Sequence, residues 1–257
     1  MHSKLIVSAF VAIVAMAPAV SAHGLILKAT GDAGSASSKA LGVDDSVPRD
    51  GTRRNPFQTD TTRFANQRTV DAANGCGSTI KGGKNDIATF QGTMAQVSAG
   101  GTVSMTLHQV NADGAGPYTC MVDASGTGNN FVQMQVTTQI PGTRGSNRAT
   151  QKQDLPLVAQ MPAGVQCTGT VGGQNNVCMV RCQNNARAGP FGGCVPVQMV
   201  GANGGGNQVG GGNQNTGNQN TGNQNTGNQN GGNTGTNGTT LQGIAGRRFR
   251  RGVKVIL

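Results

Sequence analysis

The sequence predicts an all-β protein, namely a disulfide-stabilised β-sandwich with long loops, followed by a disordered C-terminal tail rich in Gly, Asn and Gln. Three observations support this prediction. Several short segments alternate apolar and polar residues with a period of two, which is typical of strands with one buried face. Glycine, at 42 of 257 residues, provides turn signals between them. Six cysteines follow an N-terminal export signal, which indicates three disulfides.

The export signal occupies residues 1–22. A positive charge at Lys4 precedes an apolar run over residues 5–16, and small residues end the segment at Val20-Ser21-Ala22. This pattern predicts a signal peptide cleaved after Ala22, because the apolar run is too short to span a bilayer. We therefore expect a secreted, extracellular chain that begins at His23 and has no transmembrane segment.

The folded domain is predicted to cover residues 23–200. Its alternating segments have apolar faces formed by Val103, Met105 and Leu107, by Val132, Met134 and Val136, by Cys178, Val180 and Cys182, and by Val195, Val197 and Met199. The pairs Gly100-Gly101 and Gly172-Gly173 are turn signals. Residues 63–73 form the one stretch compatible with a short helix, and residues 30–60 are expected to be a loop or a set of extended excursions.

The cysteine pairing stays open at this stage, because six cysteines allow 15 connectivities. The residues concerned are Cys76, Cys120, Cys167, Cys178, Cys182 and Cys194. A zinc site at Cys178 and Cys182 is not favoured, since no CxxC pair and no nearby histidine accompanies them.

The C-terminal part divides into a low-complexity tract at 201–240 and a basic tail at 241–257. Gly and Asn supply 26 of the 40 tract positions, GNQNT repeats at 212–226, and the tract has too few apolar residues to form a core. Asn237 is a candidate glycosylation site. The two Arg pairs of the tail have three interpretations: they are proteolytic processing sites, they contact an anionic surface, or they are part of a solvated tail without a specific role. Wall association is one predicted role for this region.

Composition excludes several enzyme classes. All ten acidic residues are Asp, so HExxH metalloproteases and glycosidases with a pair of Glu residues are excluded. No G-x-S-x-G motif is present, which argues against a serine hydrolase of that type. Paired-Asp chemistry is possible on count, from Asp44-Asp45 and Asp113 or Asp123, but adjacent aspartates in a Gly-rich loop fit solvated turns or a weak calcium site better. The net charge of +10 indicates anionic partners or surfaces, and nucleic acid is not expected outside the cell.

The two histidines left after cleavage predict a copper site. An N-terminal His23 would offer its α-amine and its ring Nδ1 to one metal ion, and His108 lies at the end of a predicted strand. A second imidazole completes a three-nitrogen site, and tetragonal nitrogen coordination is a preference of copper. Two chance surface histidines are the alternative interpretation.

Three segments resemble a known family. Residues 23–32 (HGLILKATGD), 108–120 (HQVNADGAGPYTC) and 186–194 (ARAGPFGGC) are similar to the appressorium-specific secreted virulence-factor family of pathogenic fungi, of the Egh16-like type. The start His23-Gly24, with His108 downstream, also resembles the histidine brace of lytic polysaccharide monooxygenases. The second resemblance implies copper bound by His23 and His108, with Tyr118 or Phe191 beside the axial position and Tyr118 among the catalytic residues. Gln183, Gln109 and Asp113 would be the polar groups near the metal.

Two functions follow as hypotheses. The first is a fungal host-penetration protein with a copper brace that oxidises a wall or cuticle polysaccharide in the manner of a lytic monooxygenase. The second is a non-catalytic secreted surface or wall-associated protein for adhesion or wall remodelling, with or without copper. The absence of Trp departs from the flat aromatic surfaces that bind crystalline glycans, so a softer or charged polymer fits the first hypothesis better.

Overall fold

The computed structural model describes residues 23–64 and 75–201. Nearly all regular structure in these ranges is β-strand, which confirms the all-β prediction. The predicted signal peptide, most of the low-complexity tract, the basic tail and Asn237 lie outside the described residues. The predicted helix at 63–73 lies mostly outside them as well, and its first residue, Arg63, belongs to a strand. The chain divides into two units at Gln208, and the described residues all lie in the first unit.

The described residues form thirteen strands and two short 3-10 turns, at Ile87–Thr89 and Ala112–Gly114. The strands are β1 (Gly24–Gly31), β2 (Ser37–Lys39), β3 (Thr62–Arg63), β4 (Ser78–Thr79), β5 (Ala95–Val97), β6 (Thr102–Gln109), β7 (Tyr118–Asp123), β8 (Phe131–Gln133), β9 (Gln135–Thr138), β10 (Gln153–Gln160), β11 (Gly169–Val171), β12 (Gln174–Asn184) and β13 (Phe191–Met199). None of the described helical turns is long and apolar enough to cross a membrane.

The strand order shows how the sheet closes on itself. The main path runs β8-β7-β12-β13-β1-β6-β10-β9, so its two end strands are consecutive in the chain. Only Met134 separates β8 from β9, and a continuous chain therefore joins the two edges of the sheet. The sheet must fold back to make this connection, which produces the predicted sandwich with the main core between its layers. That core includes Ile26, Leu107, Val122, Leu157 and Val195.

The chain crosses between the two layers at Met134, and this corrects one sequence prediction. Residues 131–138 were predicted as one strand with Val132, Met134 and Val136 on a buried face. Instead β8 pairs with β7, whereas β9 pairs with β10. Met134 is buried at the crossing and its N–H donates to the Cys120 carbonyl, while Val132 is 48 % exposed. The alternation of apolar and polar residues continues where the chain passes from one layer to the other, so the sequence pattern cannot reveal the crossing.

The other predicted apolar faces are confirmed. The alternating residues of β6, β12 and β13 all belong to the main core. Gly172 and Gly173 form the two-residue turn between β11 and β12, and both have a positive φ, at 57° and 76°. Two successive positive φ values are the requirement of the tight hairpin turn whose twist matches the strands. Residues 40–61 contain turns and bends without a strand, as predicted for most of 30–60.

Three disulfides connect all six cysteines, which confirms the predicted number and resolves the pairing. The bonds are Cys76–Cys194, Cys120–Cys182 and Cys167–Cys178. Cys120 and Cys182 face each other across β7 and β12, inside the main core. Cys178 and Cys182 are each committed to a different disulfide, so they are not a ligand pair for zinc.

The disulfides differ in the chain length they close, which predicts their relative contributions to stability. Cys120–Cys182 spans 62 residues and Cys167–Cys178 spans 11. Loop-closure entropy then predicts a loss of about 4 kcal/mol in unfolding free energy for Cys120→Ala/Cys182→Ala and about 3 kcal/mol for Cys167→Ala/Cys178→Ala. Urea unfolding of both double variants measures the difference. A larger loss for the Cys167–Cys178 pair would contradict this ordering.

Candidate metal centre

Pairing between β1 and β6 brings the two histidines to one end of the sandwich. Leu25 lies opposite His108, and Gly24 lies opposite Gln109. The ladder continues one residue further, because the Val110 N–H donates to the His23 carbonyl at 3.1 Å. His23 therefore lies opposite Val110, although the two histidines are 85 positions apart in the sequence.

The register also places the two histidines on the same face. Residues directly opposite in an antiparallel ladder share a face, and so do residues two apart on one strand. His23 and His108 are thus diagonal neighbours, with Cα atoms roughly 7–8 Å apart, within reach of two imidazole rings. Ile26 and Leu107 point into the main core, so the histidines occupy the opposite face of these strands. Both are nonetheless buried, at 7 % and 2 % exposure.

An aspartate on the next strand orients His108. Asp154 of β10 lies opposite His108, and its Oδ1 is 2.7 Å from His108 Nδ1. A carboxylate accepts hydrogen bonds, so Nδ1 carries the proton, and Nε2 is the nitrogen whose lone pair can bind a metal ion. His108 Nε2 is buried and has no hydrogen-bond partner in the described structure. A carboxylate behind the ring with a lone pair in front is the arrangement of metal-binding histidines.

The ring of His23 is held neutral. Burial, together with the smaller effect of the positive charges of Arg63 and Arg54, lowers its pKa from 6.5 to about 4. Its Nδ1 is buried and, within the described residues, lacks a hydrogen-bond partner. The neutral imidazole is the form that binds metal ions. An unsatisfied buried nitrogen costs free energy unless a ligand contacts it.

The main-chain nitrogen of His23 is positioned by the segment after β6. It donates to Asn111 Oδ1 at 2.6 Å. Gly114 packs directly on this residue, since a Cβ at Gly114 would overlap the His23 carbonyl and a Cβ at Gly24 would overlap the Gly114 carbonyl. Two glycines thus let two backbones approach more closely than side chains would allow. Cleavage after Ala22 would turn this fixed nitrogen into a free α-amine.

Three nitrogens could therefore serve one metal ion: the His23 main-chain nitrogen, His23 Nδ1 and His108 Nε2. Within residues 23–64 and 75–201, no three His, Cys or Asp side chains form a metal-binding group. A brace does not need one, because its third ligand is the main chain. The unpartnered, buried state of both ring nitrogens fits a metal ion that prefers nitrogen donors.

The two aromatic candidates for the axial position lie in different surroundings. The Phe191 ring is 4.8 Å from the His23 ring, centroid to centroid, and Phe191 is 1 % exposed. Tyr118 is also buried, but its hydroxyl donates to the Gly114 carbonyl at 3.1 Å. Burial raises the pKa of this hydroxyl, so it stays protonated. Tyr118 thus reaches His23 through Gly114, whereas Phe191 contacts the ring itself.

The polar residues proposed near the metal have structural partners. The Gln109 amide donates to the carbonyls of Thr150, Asn147 and Asn111. Asp113 Oδ1 accepts from the Ser146 hydroxyl, and this bond ties the loop at 141–150 to the segment after β6. Gln183 lies in β12, opposite Gly192 of β13. Gln109 and Asp113 therefore build the end of the sandwich that holds His23.

The other acidic candidates also serve their own loops. Asp44 Oδ1 accepts from the N–H and hydroxyl of Ser46, and Asp45 pairs with Lys39 at the surface. Asp123 accepts from the backbone N–H groups of Ser125, Gly128 and Asn129. These hydrogen bonds lower the pKa of Asp123 against the opposing effect of burial. Asp44 and Asp123 thus organise turns. For Asp44 this agrees with the turn that its sequence context favoured over acid–base chemistry.

Sequence reasoning missed Asp154, Asn111, Arg54 and Arg63. Asp154 lies 46 residues from His108, so only the register of β6 and β10 relates them. Arg63 lies opposite Phe191 across β3 and β13, a pairing that no local pattern predicts. Asn111 was within reach, because it follows the predicted strand that ends at His108 and has a side chain suited to accept from a main-chain nitrogen.

The lowered pKa of His23 predicts a pH-dependent stability. The folded state disfavours the charged ring, so the unfolded chain binds one more proton between pH 6.5 and 4, and stability falls as the pH falls through that window. The His23→Gln variant has no ionisable group at this position, so its stability lacks this contribution to the pH dependence. Between pH 7 and pH 4 the unmodified mature protein should lose about 3 kcal/mol more unfolding free energy than the variant. Urea unfolding in EDTA measures both curves, and equal slopes would refute the assignment.

The comparisons with known proteins identify the family of this chain. A family model described as Egh16-like virulence factor matches residues 21–192, which include both histidines, Tyr118 and Phe191. The appressoria-specific virulence factor GAS1 of Pyricularia oryzae is 49 % identical over 203 residues, which cover 76 % of this chain and 79 % of that protein. The appressoria-specific virulence factor GAS2 of the same fungus is 46 % identical over 99 residues, 37 % of this chain and 34 % of that protein. This chain belongs to the Egh16-like virulence factor family.

Proposed function

We propose that this protein is a secreted fungal host-penetration protein whose N-terminal histidine binds copper in a brace and which oxidises a wall or cuticle polysaccharide. The observation that carries the proposal is the pair of buried, unpartnered ring nitrogens, His23 Nδ1 and His108 Nε2. They are the two ring nitrogens that a brace needs, on two histidines that share one face of the β1–β6 ladder.

Three features of the chain favour metal binding, and the first of them favours copper. All three available donors are nitrogens, and a tetragonal nitrogen set suits Cu(II). Asp154 holds His108 in the tautomer that presents Nε2. The lowered pKa of His23 keeps its ring deprotonated at neutral pH, so the metal need not displace a proton from it.

The chain's own residues define what this site can do. Bound copper would supply one-electron redox chemistry for oxidising a C–H bond, with a dioxygen-derived oxidant and an external reductant as co-reactants. The Phe191 ring packs against the His23 ring, and both residues are buried. Phe191 rather than Tyr118 would be the aromatic residue beside the bound metal, because its ring contacts the His23 ring whereas the Tyr118 hydroxyl donates to the Gly114 carbonyl.

The place of action follows from the relatives and the N-terminus. Two relatives are named as appressoria-specific virulence factors, and the appressorium is the fungal cell that penetrates the host. Together with the predicted signal peptide, these relatives support action outside the cell during host penetration. Glycosylation at Asn237 and association with the wall through the C-terminal tract belong to the same proposal.

A second function competes with the first: a non-catalytic, secreted surface or wall-associated protein that binds copper or acts without it. The exposed surface favours this alternative. The chain has no Trp, its one Tyr is buried at 3 % exposure, and Val132 is the one large hydrophobic residue that is exposed in the described ranges. The aromatic platforms that position crystalline polysaccharides are therefore missing from the described surface.

Copper affinity tests the brace directly. Mature protein that begins at His23 should bind one Cu(II) tightly in calorimetry. One extra residue before His23 removes the α-amine, and His108→Ala removes Nε2, so each change should abolish most of the affinity. Asp154→Asn should weaken binding about 10–100-fold, because it removes the carboxylate that fixes His108.

Asp45→Asn is the matched control for Asp154→Asn. It makes the same carboxylate-to-amide change in an exposed ion pair with Lys39, and its copper affinity should equal that of the unmodified protein. Tight binding that survives both the N-terminal extension and His108→Ala would place the metal elsewhere and refute the brace.

Activity distinguishes the two proposed functions. Copper-loaded mature protein with ascorbate should generate hydrogen peroxide and release oxidised oligosaccharides from wall or cuticle preparations, detected by mass spectrometry. His108→Ala loaded with the same amount of copper controls for free metal. A protein that binds copper but releases no oxidised product above this control would establish the non-catalytic function.

A further inference from the structure

A group of exposed basic residues lies beside the histidine pair. We define the basic surface as Arg53, Arg54, Arg63, Lys81 and Lys84, which are all exposed. Arg63 is the cross-strand partner of Phe191, whose ring contacts His23. Arg63 and Arg54 are near enough for their charges to act on the His23 ring. The basic surface therefore begins at the candidate metal centre.

None of the five cations forms an ion pair within the described residues. Among the described residues, ion pairs join Lys39 to Asp45, Arg49 to Asp60 and His108 to Asp154, and none involves the basic surface. Like charges that repel one another at a surface cost free energy unless a ligand of opposite charge binds there. The arrangement is thus better explained by a ligand than by stability.

A rigid loop carries these residues. Arg49 makes two hydrogen bonds to the buried Asp60, at 2.9 Å and 2.6 Å. The buried Gln58 side chain donates to the Thr52 carbonyl, next to Arg53 and Arg54. The Lys81 N–H donates to the Thr59 carbonyl at 2.8 Å, which attaches the segment after β4 to the same loop. The backbone that carries the cations is therefore ordered before any ligand binds, which reduces the part of the entropy cost of binding that comes from ordering a loop.

The loop also forms an open cleft of about 550 Å³. Arg54 and Lys81 line it together with the polar side chains of Asn55 and Thr59. Asp44 lines it too, and this carboxylate accepts hydrogen bonds from Ser46. Cations beside amide and hydroxyl groups suit a ligand that carries both negative charges and hydroxyl groups.

We propose that the basic surface binds an anionic polysaccharide, a chain whose sugar rings carry carboxylates, and presents it to the histidine pair. The cations are distributed from the cleft to Arg63, which lies outside its lining. This distribution fits a polymer with repeated charges better than one small anion. Sugar hydroxyls match the polar groups of the cleft. Charge then replaces the aromatic stacking that the described surface does not provide.

An anionic membrane is the less favoured partner. Binding in a bilayer interface requires an apolar face beside the basic one. The single exposed large hydrophobic residue of the described ranges, Val132, lies in β8, and it does not line the cleft. The described basic surface thus has the charge for a membrane but no exposed large apolar side chain to insert into one.

This inference rests on the proposed function, since it names the class of polymer that would reach the copper. Its test is independent of copper, because binding is measured with the full mature protein in EDTA. The probe is polygalacturonate, and its fully methyl-esterified form is the matched neutral ligand. We expect binding to polygalacturonate that weakens as salt rises, since surface charges are screened beyond about 8 Å at physiological ionic strength.

Substitutions locate the binding surface. Arg54→Gln and Arg63→Gln should each weaken the affinity for polygalacturonate about two- to fivefold, and the double variant about tenfold, as expected for exposed charge pairs. Lys28→Gln removes the same charge from the middle of β1 and should leave the affinity unchanged. The basic tail is present in every variant, so its contribution cancels. Thermal unfolding verifies that all variants fold.

Four results would overturn the inference: no binding to polygalacturonate, equal binding to the esterified polymer, equal losses in Lys28→Gln and the Arg variants, or tighter binding to phosphatidylserine vesicles than to polygalacturonate. Each of these leaves the copper titration untouched. Conversely, polygalacturonate binding through Arg54 and Arg63 in a protein that binds no copper would support this surface and refute the brace.

Discussion

The register between β1 and β6 is the constraint on which the candidate centre depends. In this register Leu25 lies opposite His108, so His23 is a diagonal neighbour of His108. On its other side β6 pairs with β10, which places Asp154 opposite His108. A shift of one residue would move His108 to the core side, because side chains alternate between faces. The main core prevents that shift, since it would expose Leu107 and bury the polar side chains of Thr106 and His108 in its place.

The fold stabilises a centre that is itself energetically unfavourable in the apo protein. Two buried imidazoles with unpartnered nitrogens, one of them beside two arginines, are a local cost to the apo protein. Disulfides, a closed sandwich and a backbone contact between Gly24 and Gly114 hold that costly arrangement in place. Such local strain in a stable framework is typical of ligand sites. The basic surface beside the centre is a second local cost, because its like charges repel one another. A polymer of opposite charge would relieve that repulsion.

Sequence patterns were sufficient for the all-β class, the three disulfides and three of the four predicted apolar faces. These patterns failed at Met134, because apolar and polar residues alternate in the same way whether or not the chain passes from one layer to the other. His23, His108 and Phe191 could be singled out from composition and resemblance. Asp154 and Arg63 could not, because each reaches the site through long-range strand pairing, and a residue's cross-strand neighbour is a property of the whole sheet.

The central claim is that the main-chain nitrogen of His23 and two imidazoles hold one copper ion. Electron paramagnetic resonance of mature protein loaded with one equivalent of Cu(II), unlabelled and with ¹⁵N-histidine, measures the ligand set most directly. The account predicts an axial spectrum with superhyperfine structure from three nitrogens that all respond to the label, since the α-amine and both rings belong to histidines. A spectrum dominated by oxygen ligands, or one unchanged by the label, would contradict it.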